Sequence, residues 1–162
     1  MNTLVIAPHP DDELLGCGGT LLRKSTEDGK VGWVIITSMK KEDGWSNERI
    51  NKREKEIEIV RKALKIKKEN VYRLNFSTAR LDVYSRGDII KAISDVFKDF
   101  KPNEIFLPHS GDVHSDHRIC FHAVEACTKW FRHPYIEKVI TYETISETDS
   151  GIDDTNPFRP NI

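Results

Sequence analysis

Only three cysteines occur in the 162 residues, Cys17, Cys120 and Cys127, and no two of them form a CxxC pair. That excludes a disulfide framework and fits a reducing compartment. Neither sign of charge is in excess, with 25 Lys and Arg against 26 Asp and Glu and a formal net charge of -1. Bulk electrostatic capture of nucleic acid needs a basic surplus or stripe, so it is excluded. Long apolar runs are missing as well. The first one, Leu4-Val5-Ile6-Ala7, has no basic lead-in and is far too short for a signal peptide or a membrane span. Internal repeats and low-complexity segments are absent. These absences describe a soluble, cytoplasmic protein without membrane insertion, of a length that suits one domain with its own core.

What is present alternates between strand-like and helix-like segments. Residues 3–8 read as a strand and residues 11 to about 28 as a helix carrying Leu14, Leu15, Leu21 and Leu22. The β-branched run 31–37 reads as a strand covered on both faces. Ser46 or Asn47 is placed to cap a helix whose stripe runs through Ile50, Ile57, Val60, Leu64 and Ile66. A weaker strand at 71–74, a helix at 88–100, a strand at 104–108, a helix from 114 to about 130 and a strand at 139–142 complete the pattern. This predicts an α/β fold, a doubly wound, mostly parallel Rossmann-like sheet with helices on both faces. Residues 1–144 form the expected domain, and 145–162 an irregular C-terminal segment.

Two clusters carry chemistry. Pro8-His9-Pro10-Asp11-Asp12-Glu13 follows the first apolar run, and Asp112-Val113-His114-Ser115-Asp116-His117 follows Ile105-Phe106-Leu107-Pro108. Doubly wound sheets bind ligands at the carboxyl ends of their strands, so both clusters belong at one mouth. His9 and Asp12, like His114 and His117, stand three residues apart where a loop becomes a helix, a spacing that lets two side chains share a centre. Three His/Asp ligands with an open fourth position suit a hydrolytic zinc site. Two histidines and a carboxylate also suit a ferrous ion. Either cluster alone would equally serve as a turn with a capping aspartate. The glycines Gly16, Gly18 and Gly19 do not make a dinucleotide fingerprint, because they lie inside the helix after an acidic turn; close helix packing is the expectation for them.

Together the two clusters resemble the HPDDE and HxDH motifs of the LmbE/PIG-L family of zinc-dependent deacetylases of N-acetylglucosamine-type sugars, and Arg53-Glu54-Lys55-Glu56 matches that family's RxxE pattern. The resemblance covers nearly the whole chain. It implies that His9, Asp12 and His117 hold zinc, that Asp11 is the general base, and that His114 stabilises the oxyanion. It also implies that Asp116 holds the His114 imidazole in its tautomer and that Arg53 reaches toward a small-molecule amino-sugar substrate. Members of the family usually continue with further strand and helix structure that helps close the substrate pocket, and this sequence stops close to where such a segment would begin, so substrate binding and a homo-oligomer are left open. Two alternatives share the motifs: an amidase acting on a thiol-sugar or antibiotic conjugate, and a non-catalytic sugar-binding module that retains a metal. Glu13 is expected to support the helix start or the ligands, and His109 to line the pocket. Trp45 reads equally as a lid aromatic over a sugar ring and as a staple at a helix start.

Overall fold

The computed structural model describes residues 1–27, 29–152 and 155–161; the expected helix end near 28 and positions 153, 154 and 162 of the C-terminal segment lie outside the described residues. Five strands form one sheet: β1 (Asn2–Ala7), β2 (Lys30–Ser38), β3 (Val71–Ser77), β4 (Glu104–Pro108) and β5 (Lys138–Tyr142). Their order is β3-β2-β1-β4-β5 and every pairing is parallel. The helices α1 (Asp12–Thr26), α2 (Asn47–Ala63), α3 (Arg86–Phe100) and α4 (Ser115–Cys127) lie between successive strands.

Alternation along β1 divides the core. Leu4 and Ile6, with Val34 and Ile36 of β2, pack on α3 and α4 through Ile93, Phe97, Cys120 and Val124. Val5 and Ala7, with Trp33 and Ile35, pack on α1 and α2 through Cys17, Leu21 and Ile57. Successive side chains of a strand point to opposite faces, and helices cover both, so the strands read as unbroken apolar runs. The three cysteines are free and buried. They serve as small core residues.

Helix starts follow local chemistry. Ser46 Oγ accepts from Arg49 N at 3.3 Å to cap α2, and Ser85 Oγ accepts from Asp88 N at 3.1 Å to cap α3. Several boundaries differ from the sequence reading. β3 runs on to Ser77, and α4 stops at Cys127, which leaves Trp130 81% exposed. In α1 only Leu21 of the expected leucine stripe is buried. Leu14, Leu15 and Leu22 are exposed, while Glu13, Cys17 and Leu21, spaced by four, face inward. Non-helical backbone at Cys17 kinks this helix.

Of the three glycines in α1, Gly16 alone admits a neighbouring element. A Cβ there would run into the ring of Tyr142, whose hydroxyl donates to Ile6 O at 2.8 Å, whereas a Cβ on Gly19 would meet nothing within 4 Å. Close packing is thus the role of Gly16, not of Gly19. Gly16→Ala is expected to lose about 1–3 kcal/mol through overpacking. Gly19→Ala should gain about 0.5–1 kcal/mol from helix propensity. Urea unfolding of the two variants measures both, and equal effects would contradict this packing account.

Candidate metal centre

β1 and β4 are neighbours, with Leu4 opposite Ile105 and Val5 opposite Phe106. Consecutive halves of the sheet diverge at this pair, so the loops leaving Ala7 and Pro108 open on one crevice. The first loop brings His9, Asp11 and Asp12. The second, with the first turn of α4, brings Asp112, His114, Asp116 and His117.

Three donor atoms meet there. His9 Nδ1 is 3.5 Å from Asp12 Oδ2, His117 Nε2 is 3.3 Å from the same oxygen, and the two ring nitrogens are 3.4 Å apart. Zinc–nitrogen bonds of about 2.0–2.1 Å in a tetrahedron imply donor–donor edges of about 3.3–3.4 Å, so this triangle fits one face of such a site. The remaining ring nitrogens are tied to carboxylates. His117 Nδ1 lies 2.8 Å from Asp112 Oδ2, and His9 Nε2 lies 3.1 Å from Asp116 Oδ2. Each bond places a proton on the outer nitrogen and leaves the lone pair of the inner one for a metal. Asp12 Oδ2 also accepts from His9 N at 2.8 Å, which fixes the loop that carries both residues.

His9, His114 and Asp116 form a second group within 4.8 Å. Its carboxylate is already engaged: Asp116 Oδ1 accepts from Leu81 N at 3.0 Å, and Oδ2 accepts from Ala79 N at 2.8 Å as well as meeting His9. The first triangle therefore suits a cation better.

Charge reinforces the geometry. Burial opposes ionisation of both rings, yet the surrounding carboxylates outweigh it. Asp116 and Asp12 lift His9 to about 9, and Asp112 and Asp12 lift His117 to about 9. Burial likewise opposes the Asp12 carboxylate, but hydrogen bonds from His117 and His9 hold it well below the usual range. In His114, burial and the neighbouring His9 charge lower the pKa. The Asp12 carboxylate therefore draws positive charge, whether proton or cation, to the two rings that flank it.

One expectation needs correction. The Asp116 carboxylate orients His9, not His114. Its backbone N–H donates to His114 Nδ1 at 3.1 Å, which makes His114 the N-cap of α4. Because Nδ1 accepts, a neutral His114 ring carries its proton on Nε2. Two further positions depart from the sequence reading. Glu13 neither caps α1 nor touches the ligands; it is fully buried with both carboxylate oxygens unpartnered, and burial raises its pKa to about 8. His109 turns to the C-terminal segment, with Nε2 3.0 Å from Asn156 O and its ring against Phe158.

A cavity of about 350 Å³ lies over the triangle. Its wall includes Asp11, Trp45, Ile50, Arg53 and residues 144–147. Arg53 is held rather than free: Nη1 donates to Pro10 O at 2.8 Å and to Asp11 Oδ2 at 3.3 Å, and Nε is 3.6 Å from Glu56. The Arg49 guanidinium sits 5.1 Å from the Trp45 ring. Sequence reasoning gave no role to Asp112, to Thr148, or to the amides of Ala79 and Leu81. Asp112 stood inside the second cluster without a motif spacing of its own, and backbone donors carry no sequence signature.

A doubly wound sheet with a His/Asp triangle at its switch point defines an α/β protein built around a candidate hydrolytic metal site. The chain belongs to the PIG-L family, described as GlcNAc-PI de-N-acetylase, which residues 4–128 match. It is 30% identical over 150 residues to an Escherichia coli K12 protein named uncharacterized deacetylase YaiS, covering 88% of this chain and 74% of that one. The conserved protein TT1542 from Thermus thermophilus is 27% identical, with a TM-score of 0.71 over 98% of this chain and 68% of its own. The N,N'-diacetylchitobiose deacetylase from Pyrococcus horikoshii is 25% identical, with a TM-score of 0.73 over 89% of this chain and 61% of its own. Among the described residues no helix is long and apolar enough to cross a membrane.

The triangle's protons and its carboxylate braces can each be measured. A cation must displace protons from rings that titrate near 9. Zinc affinity of the metal-free protein should therefore climb as pH rises from about 6.5 toward 9, with proton release on binding. Calorimetry in buffers of different ionisation enthalpy reads this, and a flat profile with no release would oppose it. Asp112→Asn and Asp116→Asn should each weaken zinc binding about 10–100-fold, measured by chelator competition. Unchanged affinity in both would show that these carboxylates do not brace the ligands.

Proposed function

We propose that this protein removes the N-acetyl group from an N-acetylglucosamine-type sugar or sugar conjugate, using a zinc ion held by His9, Asp12 and His117. The placement of two adjacent aspartates carries the reading. Asp12 is buried against the rings, while the neighbouring Asp11 side chain is 49% exposed and lines the cavity. This difference in burial supports Asp12 as the ligand and Asp11 as the group that handles protons.

Bound zinc would polarise the acetamide carbonyl and make water acidic enough to act at neutral pH. Asp11 takes the proton of the attacking water, and Arg53 limits the rotation of that carboxylate. The His114 Nε2–H donates to the amide oxygen as negative charge develops on it. Water oxygen bonds to the carbonyl carbon, the C–N bond breaks, and Asp11 returns its proton to the departing amine. Acetate and the free amino sugar are the products. Trp45 and Ile50 offer an aromatic and apolar wall on which the face of a sugar ring can pack.

Three side chains make up the triangle among the described residues. A closed structural zinc takes four, so the arrangement favours catalysis over a binding module. Support for the substrate class comes from the family description and from the Pyrococcus horikoshii relative. The test is acetate release by zinc-loaded protein from acetylated amino sugars, free and conjugated. Asp11→Asn is expected to cut kcat by about 10²–10⁴ while zinc stays bound. Full turnover in that variant would remove Asp11 from the mechanism.

A further inference from the structure

Directly after β5 the chain makes a turn over residues 145–150 that faces two ways. Outward, Ile145, Ser146 and Glu147 form part of the cavity wall. Inward, Thr148 Oγ1 donates to Asp112 Oδ1 at 2.7 Å, and the other oxygen of that carboxylate meets His117 Nδ1 at 2.8 Å. The Thr148 hydroxyl is itself aimed, because its oxygen accepts from Thr144 N at 2.7 Å. One lone pair accepts that bond, and the single hydroxyl proton has Asp112 as its partner. A second bond, Val113 N to Glu147 O at 2.9 Å, holds the turn on the loop that carries Asp112. Asp112 and His117 are both fully buried, and Thr148 is half-buried beside them, so the loss of its hydroxyl leaves a carboxylate oxygen of a buried network without this partner.

We propose that Thr148 is a positioning residue for the metal centre, acting through Asp112 to hold the His117 ring in register. The inference rests on the reading of His117 as a metal ligand, and it gives the C-terminal segment a task. Thr148 lies beyond the residues 4–128 that match the family, so the bracing comes from a part of the chain that the match leaves out. Removing the hydroxyl frees Asp112 Oδ1 to turn, and the imidazole that follows Oδ2 turns with it. A buried chain of this kind transmits orientation because each member has one partner on each side.

The experiment compares Thr148→Val, which keeps the shape and loses the hydroxyl, with Thr148→Ser, which keeps the hydroxyl. Zinc affinity is measured by chelator competition without substrate, so failure of the deacetylase reading and failure of this one stay separate. Thr148→Val is expected to weaken zinc binding about 10-fold, the low end for groups that brace a liganding histidine, and Thr148→Ser to stay within about twofold. The double variant Thr148→Val with Asp112→Asn should lose no more than Asp112→Asn alone. Nitrogen NMR of the metal-free protein should show the His117 ring shifted in the Val variant and unshifted in the Ser variant. Wild-type affinity in Thr148→Val, equal loss in Val and Ser, or additive losses in the double variant would each overturn the proposal.

Discussion

Because β1 and β4 lie side by side and parallel, with Thr3 opposite Glu104 and Leu4 opposite Ile105, the loops leaving them emerge at one edge of the sheet. Every feature of the site depends on that ladder. It brings His9 and His117, 108 positions apart in sequence, to 3.4 Å. The pairing is held from both sides, since Leu4 and Ile105 pack toward α3 and α4 while Val5 and Phe106 pack toward α1 and α2. A sheet covered on both faces resists sliding, because a one-residue shift would exchange its two apolar faces.

The centre built on this ladder is a buried polar network, and such networks stabilise only when their members are paired. Asp116 shows how completely this is met: its two oxygens take two backbone amides and one imidazole. Asp112 is shared between a ring and a hydroxyl. Glu13 is the contrast, with two oxygens in the same neighbourhood and no partner for either. The buried network narrows His9, Asp12 and His117 to one orientation each, while Asp11, at the rim, keeps access to the cavity.

Strands β1, β2 and β4 were legible because a doubly covered strand must be apolar on both faces. The caps at Ser46 and Ser85 obey local hydrogen-bonding rules, although only the first was placed from sequence. The misreadings have physical causes. In α1 Leu14, Leu15 and Leu22 are exposed and Leu21 alone of the four leucines is buried, because the row that faces the sheet runs through Glu13, Cys17 and Leu21 and apolar periodicity does not count a glutamate. The strand read at 71–74 extends to Ser77, past a shift of the β2–β3 register near Asn75, whose φ is 57°. Only pairing with a neighbouring strand makes that stretch part of the sheet.

Sequence alone determined which residue types stand at the strand ends, and hence that a His/Asp site faces the crevice of a doubly wound sheet. Spacing and apolar runs are local properties, so they survive in a linear reading. Tertiary structure decided which nitrogen of each ring faces inward, that Asp116 serves His9 instead of His114, and that Thr148 closes a chain through Asp112 to His117. Those assignments rest on hydrogen bonds between residues as far as 36 and 107 positions apart. A hydrogen bond depends on distance and direction in space, and neither exists until the chain has folded.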